Sequence, residues 1–190
     1  MIKALIFDFY GVIRSDEYHD WLTNHGLKAS PKLKSAEVSL DKGLETMDDF
    51  FENLSKFSDM PASDIKREFK HHASLNKELL ALILELKKSY KIALLSNAAS
   101  SHLRETLDEA GIGKLFDEIV ISAEIGYMKP SKEIFNYCLE KLAVRPEEAV
   151  FIDDNQRFVE AAKSLGIESI SYTGLDSLIN TLSGIGIIGK

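Results

Sequence analysis

Cysteine is nearly absent from this sequence: Cys138 stands alone. A single thiol excludes an internal disulfide and a cysteine-built metal centre. Its setting in "EIFNYCLEKL" predicts a buried helix position rather than a nucleophile. Long apolar runs are missing too. "MIKALIF" is broken by Asp8 before it reaches the length of a signal-peptide core. The C-terminal "SLINTLSGIGIIGK" is too short and too polar to span a bilayer. A cytoplasmic chain with no membrane partner is expected by elimination. Positive charge is the scarcer sign, 23 Lys and Arg against 30 Asp and Glu, for a net charge of −7. That balance argues weakly against nucleic acid or an anionic membrane as partner. Small anionic substrates stay open, because a local basic group overrides a distant net charge. Internal repeats and low-complexity stretches are also lacking. What remains, 190 residues of which 45 % are hydrophobic, suits one globular domain with a small insert.

From about residue 80 onward, apolar runs alternate with helical spacing. "KIALLSN" (91–97), "FDEIVIS" (116–122), "EAVFIDDN" (148–155) and "ESISYTG" read as buried strands. "SSHLRETLDEAGI" reads as a helix stopped by Gly111. "SKEIFNYCLEKLAV" (131–144) has Ser131 as a candidate N-cap, and "FVEAAKSLGI" (158–167) ends at Gly166. Strand–helix alternation with unbroken apolar strands predicts a parallel sheet covered on both faces. Ligands of such sheets bind beyond the carboxyl ends of the strands. Asp8, Ser96, Lys129 and the pair Asp153/Asp154 all fall at or just after predicted strand ends. Four polar clusters far apart in sequence are therefore expected to meet at one edge.

Residues 14–78 differ. "DEYHDWLTNH", "LETMDDFFENLSKF" and "PASDIKREFKHHASL" have helical spacing, and no strand pattern is convincing. The stretch is too long for a plain loop. It predicts a helical subdomain placed over the strand ends like a lid. The expected division is a core of 1–13 and 79–190 and a cap of 14–78. Within the cap, the pair His71–His72 reads as a solvated helix face and Trp21 as packing.

Four ordered blocks, "FDFYGVI", "LLSNAAS", "GYMKPSKEIF" and "AVFIDDNQRFVEAAKSLGI", resemble those of the haloacid dehalogenase-like hydrolase superfamily, over essentially the whole chain. The resemblance implies an α/β fold, a doubly wound parallel sheet with a helical cap inserted after the first strand. It also implies a nucleophilic aspartate and Mg²⁺. On that basis Asp8 would attack phosphorus of a small phosphorylated metabolite and form an aspartyl-phosphate. Asp8, Asp153, Asp154 and the backbone carbonyl of Tyr10 would hold Mg²⁺, with Asp154 the direct ligand and Asp153 acting through water. Lys129 would place positive charge beside Asp8 and the phosphoryl oxygens. Ser96 and Asn97 would donate to phosphate oxygens. Gly11 would allow the tight turn that brings backbone N–H groups near the anion. Each residue also has an ordinary reading as strand-end turn chemistry or a helix cap.

Tyr10 departs from most of the family's phosphatases, which carry a second aspartate there as acid and base; some lack it, so its loss need not end catalysis. Tyrosine, with a pKa of about 10, donates a proton near neutral pH but is a poor base. The family's L-2-haloacid dehalogenases do carry tyrosine at this place, so dehalogenation of a small halogenated acid is the sharp alternative. Those enzymes replace the acidic pair with small polar residues, whereas "IDDN" keeps it, and the phosphatase reading is preferred. A protein that binds a phosphorylated ligand or partner with little turnover is a third reading. Asp16 or Glu17 could supply the missing proton from the cap junction, although both also suit the start of the first cap helix.

Overall fold

The computed structural model describes residues 1–27 and 30–189, without the side chains of His71 and His72, so the reading of that histidine pair lies outside the described residues. Five parallel strands form one sheet: β1 (Ala4–Phe7), β2 (Lys91–Ser96), β3 (Glu118–Ile121), β4 (Ala149–Asp153) and β5 (Glu168–Ser171). Their order is β3-β2-β1-β4-β5. β1 is central, and Leu5 lies opposite Ile92 on one side and Val150 on the other. Chain order reverses between β1 and β4. That is the switch point at which doubly wound sheets open a crevice beyond the strand ends.

Alternation along each strand sends side chains to two separate cores. Leu5 and Phe7 pack with α5 (Lys77–Leu86), α6 (Ser100–Ala110) and α10 (Leu175–Gly184) through Ile83, Leu107 and Leu182. Ala4 and Ile6 pack on the opposite face against α8 (Lys132–Leu142) and α9 (Gln156–Ser164), through Phe135, Cys138 and Ala162. Cys138 is fully buried, and that burial pushes its thiol up to about 12, as suits packing rather than reactivity. Ser131 stands at the N-cap of α8, but its hydroxyl makes no capping bond. A short helix, α7 (Ser122–Ile125), follows β3.

Between β1 and α5 the described residues form four helices, α1 (Glu17–Asn24), α2 (Pro31–Asp41), α3 (Met47–Ser58) and α4 (Ala62–His72). They share a third core built on Trp21, Leu33, Leu40, Phe51, Leu54 and Ile65, and Ala99 of the sheet domain joins it. Trp21 is buried there, with its indole N–H donating to Glu68 at 3.0 Å. Two short segments connect these helices to the sheet. Arg14 bridges to Leu75, and the Ser15 N–H donates to the Ser74 carbonyl at 3.0 Å. The buried Arg14 guanidinium holds Glu17 at 2.9 Å and Thr106 at 2.8 Å, which ties the start of α1 to α6. No helix among the described residues is long and apolar enough to cross a membrane.

Candidate active site

β1 delivers Asp8 one residue past its end, with its N–H held by the Ile152 carbonyl of β4 at 2.9 Å. Asp8 Oδ1 accepts from the Phe9 N–H at 2.7 Å and lies 2.8 Å from Lys129 Nζ. Lys129 is fully buried, and its Nζ also reaches Asp153 Oδ2 at 2.6 Å. The rings of Phe158 and Phe151 lie 5.0 Å and 5.5 Å from the ammonium. The remaining oxygen of Asp153 accepts from the Asn155 N–H at 2.8 Å. Asn155, not either aspartate, caps α9 by accepting from the Arg157 N–H.

The structure therefore brings Asp8, Lys129, Asp153 and Asp154 together. Asn97 joins them indirectly. Its amide donates to the Lys129 carbonyl at 3.0 Å and accepts from the Lys129 N–H at 2.7 Å. This double clamp fixes the lysine backbone and uses one of the two amide N–H groups that the sequence offered to phosphate. Ser96 ends β2 fully buried, its hydroxyl 3.5 Å from the Asn97 carbonyl. Gly11 has φ of +77°, and its N–H is spent on the Arg14 carbonyl at 2.7 Å. A Cβ at Gly11 would run into the Asp154 carboxylate. The glycine thus leaves the space that Asp154 occupies.

Charge in this cluster is unbalanced. Carboxylate oxygens of Asp8, Asp153 and Asp154 fall within 4.8 Å of one another, with one lysine among them. Burial, then the neighbouring Asp153 charge, holds the Asp8 carboxyl well above the usual range against the pull of Lys129. The same two causes raise Asp154. Burial alone would lower Lys129, but Asp153 and Asp8 outweigh it and hold the ammonium charged. Three carboxylates aimed at one point, one of them exposed, are an oxygen donor set suited to a hard divalent cation. A cation there relieves the repulsion that lifts Asp8 and Asp154.

Over the strand ends lies a partly open cavity of about 530 Å³, lined from the other side by residues of α1, α2 and α3. Asp8, Tyr10, Lys129 and Asp154 line its floor, and Tyr18, His19, Glu37 and Asp41 line its roof. Tyr10 packs edge-on against Phe9 at 5.1 Å, under the Arg14 guanidinium. Burial raises its hydroxyl beyond the ordinary phenol range, so it does not ionise near neutral pH. Asp16 caps α1 by accepting from the His19 N–H, and it pairs with His19 Nδ1 at 2.7 Å. Glu17 is committed to Arg14 and Ser15. The roof residues Glu37 and Asp41 escaped the sequence reading. Their one-turn spacing, on a helix whose buried stripe is Leu33, Ala36 and Leu40, is visible in the sequence, but their place over the strand ends is not.

Comparison with known proteins places this geometry. The chain is 29 % identical over 192 residues to a D-ribitol-5-phosphate phosphatase of Bacteroides thetaiotaomicron, covering 89 % of this chain and 91 % of that protein. It is 26 % identical over 198 residues to a drimenol cyclase of Aspergillus calidoustus, covering 97 % of this chain but only 37 % of that protein. Its fold matches the magnesium complex of a haloacid dehalogenase family enzyme of Bacteroides thetaiotaomicron with a TM-score of 0.74. The identity is 24 %, over 92 % of this chain and 96 % of that one. The family model for haloacid dehalogenase-like hydrolases matches residues 2–166. With that match over most of its length, and with an aspartate, a lysine and an acidic pair meeting at the end of a central parallel strand, the chain belongs to the haloacid dehalogenase-like hydrolase family.

Proposed function

We propose that this protein is a Mg²⁺-dependent phosphomonoesterase acting on a small phosphorylated metabolite. The observation that carries the reading is the single point at which Asp8, Lys129 and the acidic pair converge. Asp8 is the nucleophile: its carboxylate attacks phosphorus and gives an aspartyl-phosphate, which water then opens. Lys129 orients Asp8 through Oδ1 and neutralises charge that gathers on the phosphoryl oxygens. Asn97 positions Lys129, and Ser96 closes the end of β2 beside them. Mg²⁺ would supply the charge that lets an anionic nucleophile approach an anionic ester. Asp8, the Tyr10 carbonyl and Asp154 are the residues to hold it. Asp154 is the exposed acid, whereas both oxygens of Asp153 already have protein partners.

The phosphatase relative supports this substrate class, and the fold neighbour's magnesium complex supports the cofactor. Tyr10 is the residue that would favour a haloacid dehalogenase. The retained acidic pair speaks against that chemistry, since it would repel a haloacid carboxylate without a cation between them. The test is a screen of phosphorylated metabolites with Mg²⁺, with 2-chloropropionate as control. Phosphate release that is lost in Asp8→Asn supports the reading. Chloride release, or turnover of no phosphate ester at all, overturns it.

A further inference from the structure

We infer that Asp41, on the helical roof, is the acid and base of this site, in the role that the tyrosine at position 10 does not fill. The inference rests on the phosphatase reading above. Asp41 is the last residue of α2, and it lines the same cavity as Asp8 and Lys129. Its backbone is fastened to the sheet domain. The Ser122 hydroxyl donates to the Asp41 carbonyl while accepting from the Ala98 N–H, at the loop after β2. Two residues on, Gly43 lies so close to α7 that a Cβ there would meet the Ala123 carbonyl at 2.8 Å. The end of α2 is thus pinned over the strand ends rather than hung on a free arm.

The carboxylate itself is uncommitted. Among the described residues no donor reaches it, whereas Asp16 is spent on a helix cap and His19, and Glu17 on Arg14. The Tyr18 hydroxyl, in the same roof, is buried and has no hydrogen-bond partner among the described residues. A buried orphan donor beside a free carboxylate marks where a polar leaving group would sit. His102 also lines the cavity, but the charges that act most on it are Arg14, Glu105, Glu109 and Lys66, away from the nucleophile. Asp41, by contrast, lies in the field of Lys129.

The groups facing Asp41 are Glu37 on its own helix, Asp16 from α1, Tyr10 and Lys129 from the floor, and Tyr18. On the packed α7, Glu124 is already paired with Arg104. Burial first, then Glu37, raises the Asp41 carboxyl to about 7. A group with that value both gives and takes a proton at neutral pH. In the first step an Asp8 oxygen bonds to phosphorus. The ester P–O bond breaks, and its electron pair leaves on the ester oxygen, which takes the Asp41 proton. In the second step the Asp41 carboxylate takes a proton from water, and the water oxygen bonds to phosphorus. The bond to Asp8 breaks, and inorganic phosphate leaves with Asp8 and Asp41 restored.

Asp41→Asn tests this with two esters of unequal leaving ability, phenyl phosphate and p-nitrophenyl phosphate. Loss of the acid should lower kcat/KM for phenyl phosphate by roughly 10²-fold, and for p-nitrophenyl phosphate by less than about tenfold. Loss of the base should make the variant accumulate phosphoenzyme, seen as a burst of p-nitrophenol on rapid mixing. Tyr10→Asp in the same chain should return the phenyl phosphate rate. Asp41→Glu, with thermal unfolding of each variant, separates chemistry from misfolding. Equal losses on the two esters without a burst, or no loss at all, overturn the assignment. Wild-type protein that hydrolyses neither ester removes the phosphatase reading itself, and that outcome is visible before any variant is made.

Discussion

Replacing Lys129 with methionine removes the one lysine that, among the described residues, sits between the Asp8 and Asp153 carboxylates, and keeps nearly the same length of apolar stem. The lysine is fully buried, 2.8 Å from Asp8 and 2.6 Å from Asp153. At an effective dielectric constant of about 20, a unit pair at the first distance carries about 6 kcal/mol of gross attraction. Much of that is returned by the cost of taking an ammonium out of water. The larger effect is what stays behind, because Asp8 and Asp153 then face each other with no counter-charge. Breaking a buried pair by removing one partner costs about 3–5 kcal/mol. For a chain of this size each kcal/mol moves Tm by about 2–4 °C, so a fall of about 6–20 °C is expected. Urea denaturation in EDTA, read by circular dichroism, measures the loss without interference from divalent ions. Hydrolysis should drop by about 10²–10³-fold or more, as when a charge-stabilising donor is removed. A loss of stability below about 1 kcal/mol would refute the reasoning. The two carboxylates would then not depend on Lys129, and the charge imbalance inferred for the cluster would be wrong.

Gly11→Ala should cost about 1–2 kcal/mol from the left-handed backbone alone. It should also push Asp154 aside and weaken Mg²⁺ binding by about 10–100-fold, measured by calorimetry. Wild-type affinity in that variant would show that Asp154 needs no such space. His19 should titrate at about 9, because its hydrogen bond to Asp16 favours the protonated ring. The unfolded ring titrates at about 6.5, so the stability it lends is full below that pH and disappears as pH rises through about 9. A pH series of ring proton shifts, compared with Asp16→Asn, reads this directly. A midpoint near 6.5 in the native protein would dissolve the pair.

Strand ends were the most legible part of the chain. "AVFID" and "KIALLS" are unbroken apolar runs closed by polar residues, and buried parallel strands need that composition. Asp8, Lys129 and Asp153 could be placed at one edge because a parallel sheet sends all its strand ends the same way. α2 was passed over. Its sequence, PKLKSAEVSLD, buries only Leu33, Ala36 and Leu40, too thin a stripe to stand out. Its start was nonetheless marked by Ser30, which caps the Leu33 N–H, and by Pro31 in the first turn. α10 was missed for a similar reason, since its packing on the sheet is a tertiary fact. Asp41 was out of reach. Nothing local to "SLDKG" says that this helix end is bolted to Ser122, some eighty residues later, or that its carboxylate hangs over a strand end. The amide of Asn97 shows the same limit: its type suggested a phosphate donor, and only the fold reveals that one of its two N–H groups and its oxygen grip a lysine backbone.

The central position of β1 has a consequence for synthesis. Ala4 pairs with Lys91 on one side and Ala149 on the other, so the strand that leaves the ribosome before the others waits for the one made next to last. At about 5–20 residues per second, the interval before β4 follows is on the order of ten to thirty seconds. All four residues of β1 are apolar and buried in the finished sheet, so one edge of a sticky strand stays unprotected until β2 is made and the other for that whole time. The helices of residues 17–72 can meanwhile collapse on their own core of Trp21, Phe51 and Leu54. A nascent chain stalled before residue 149 would therefore carry a formed roof above an unfinished floor. It would hold Asp8 without Asp153 or Asp154, and it would be a better client for a chaperone than for a substrate.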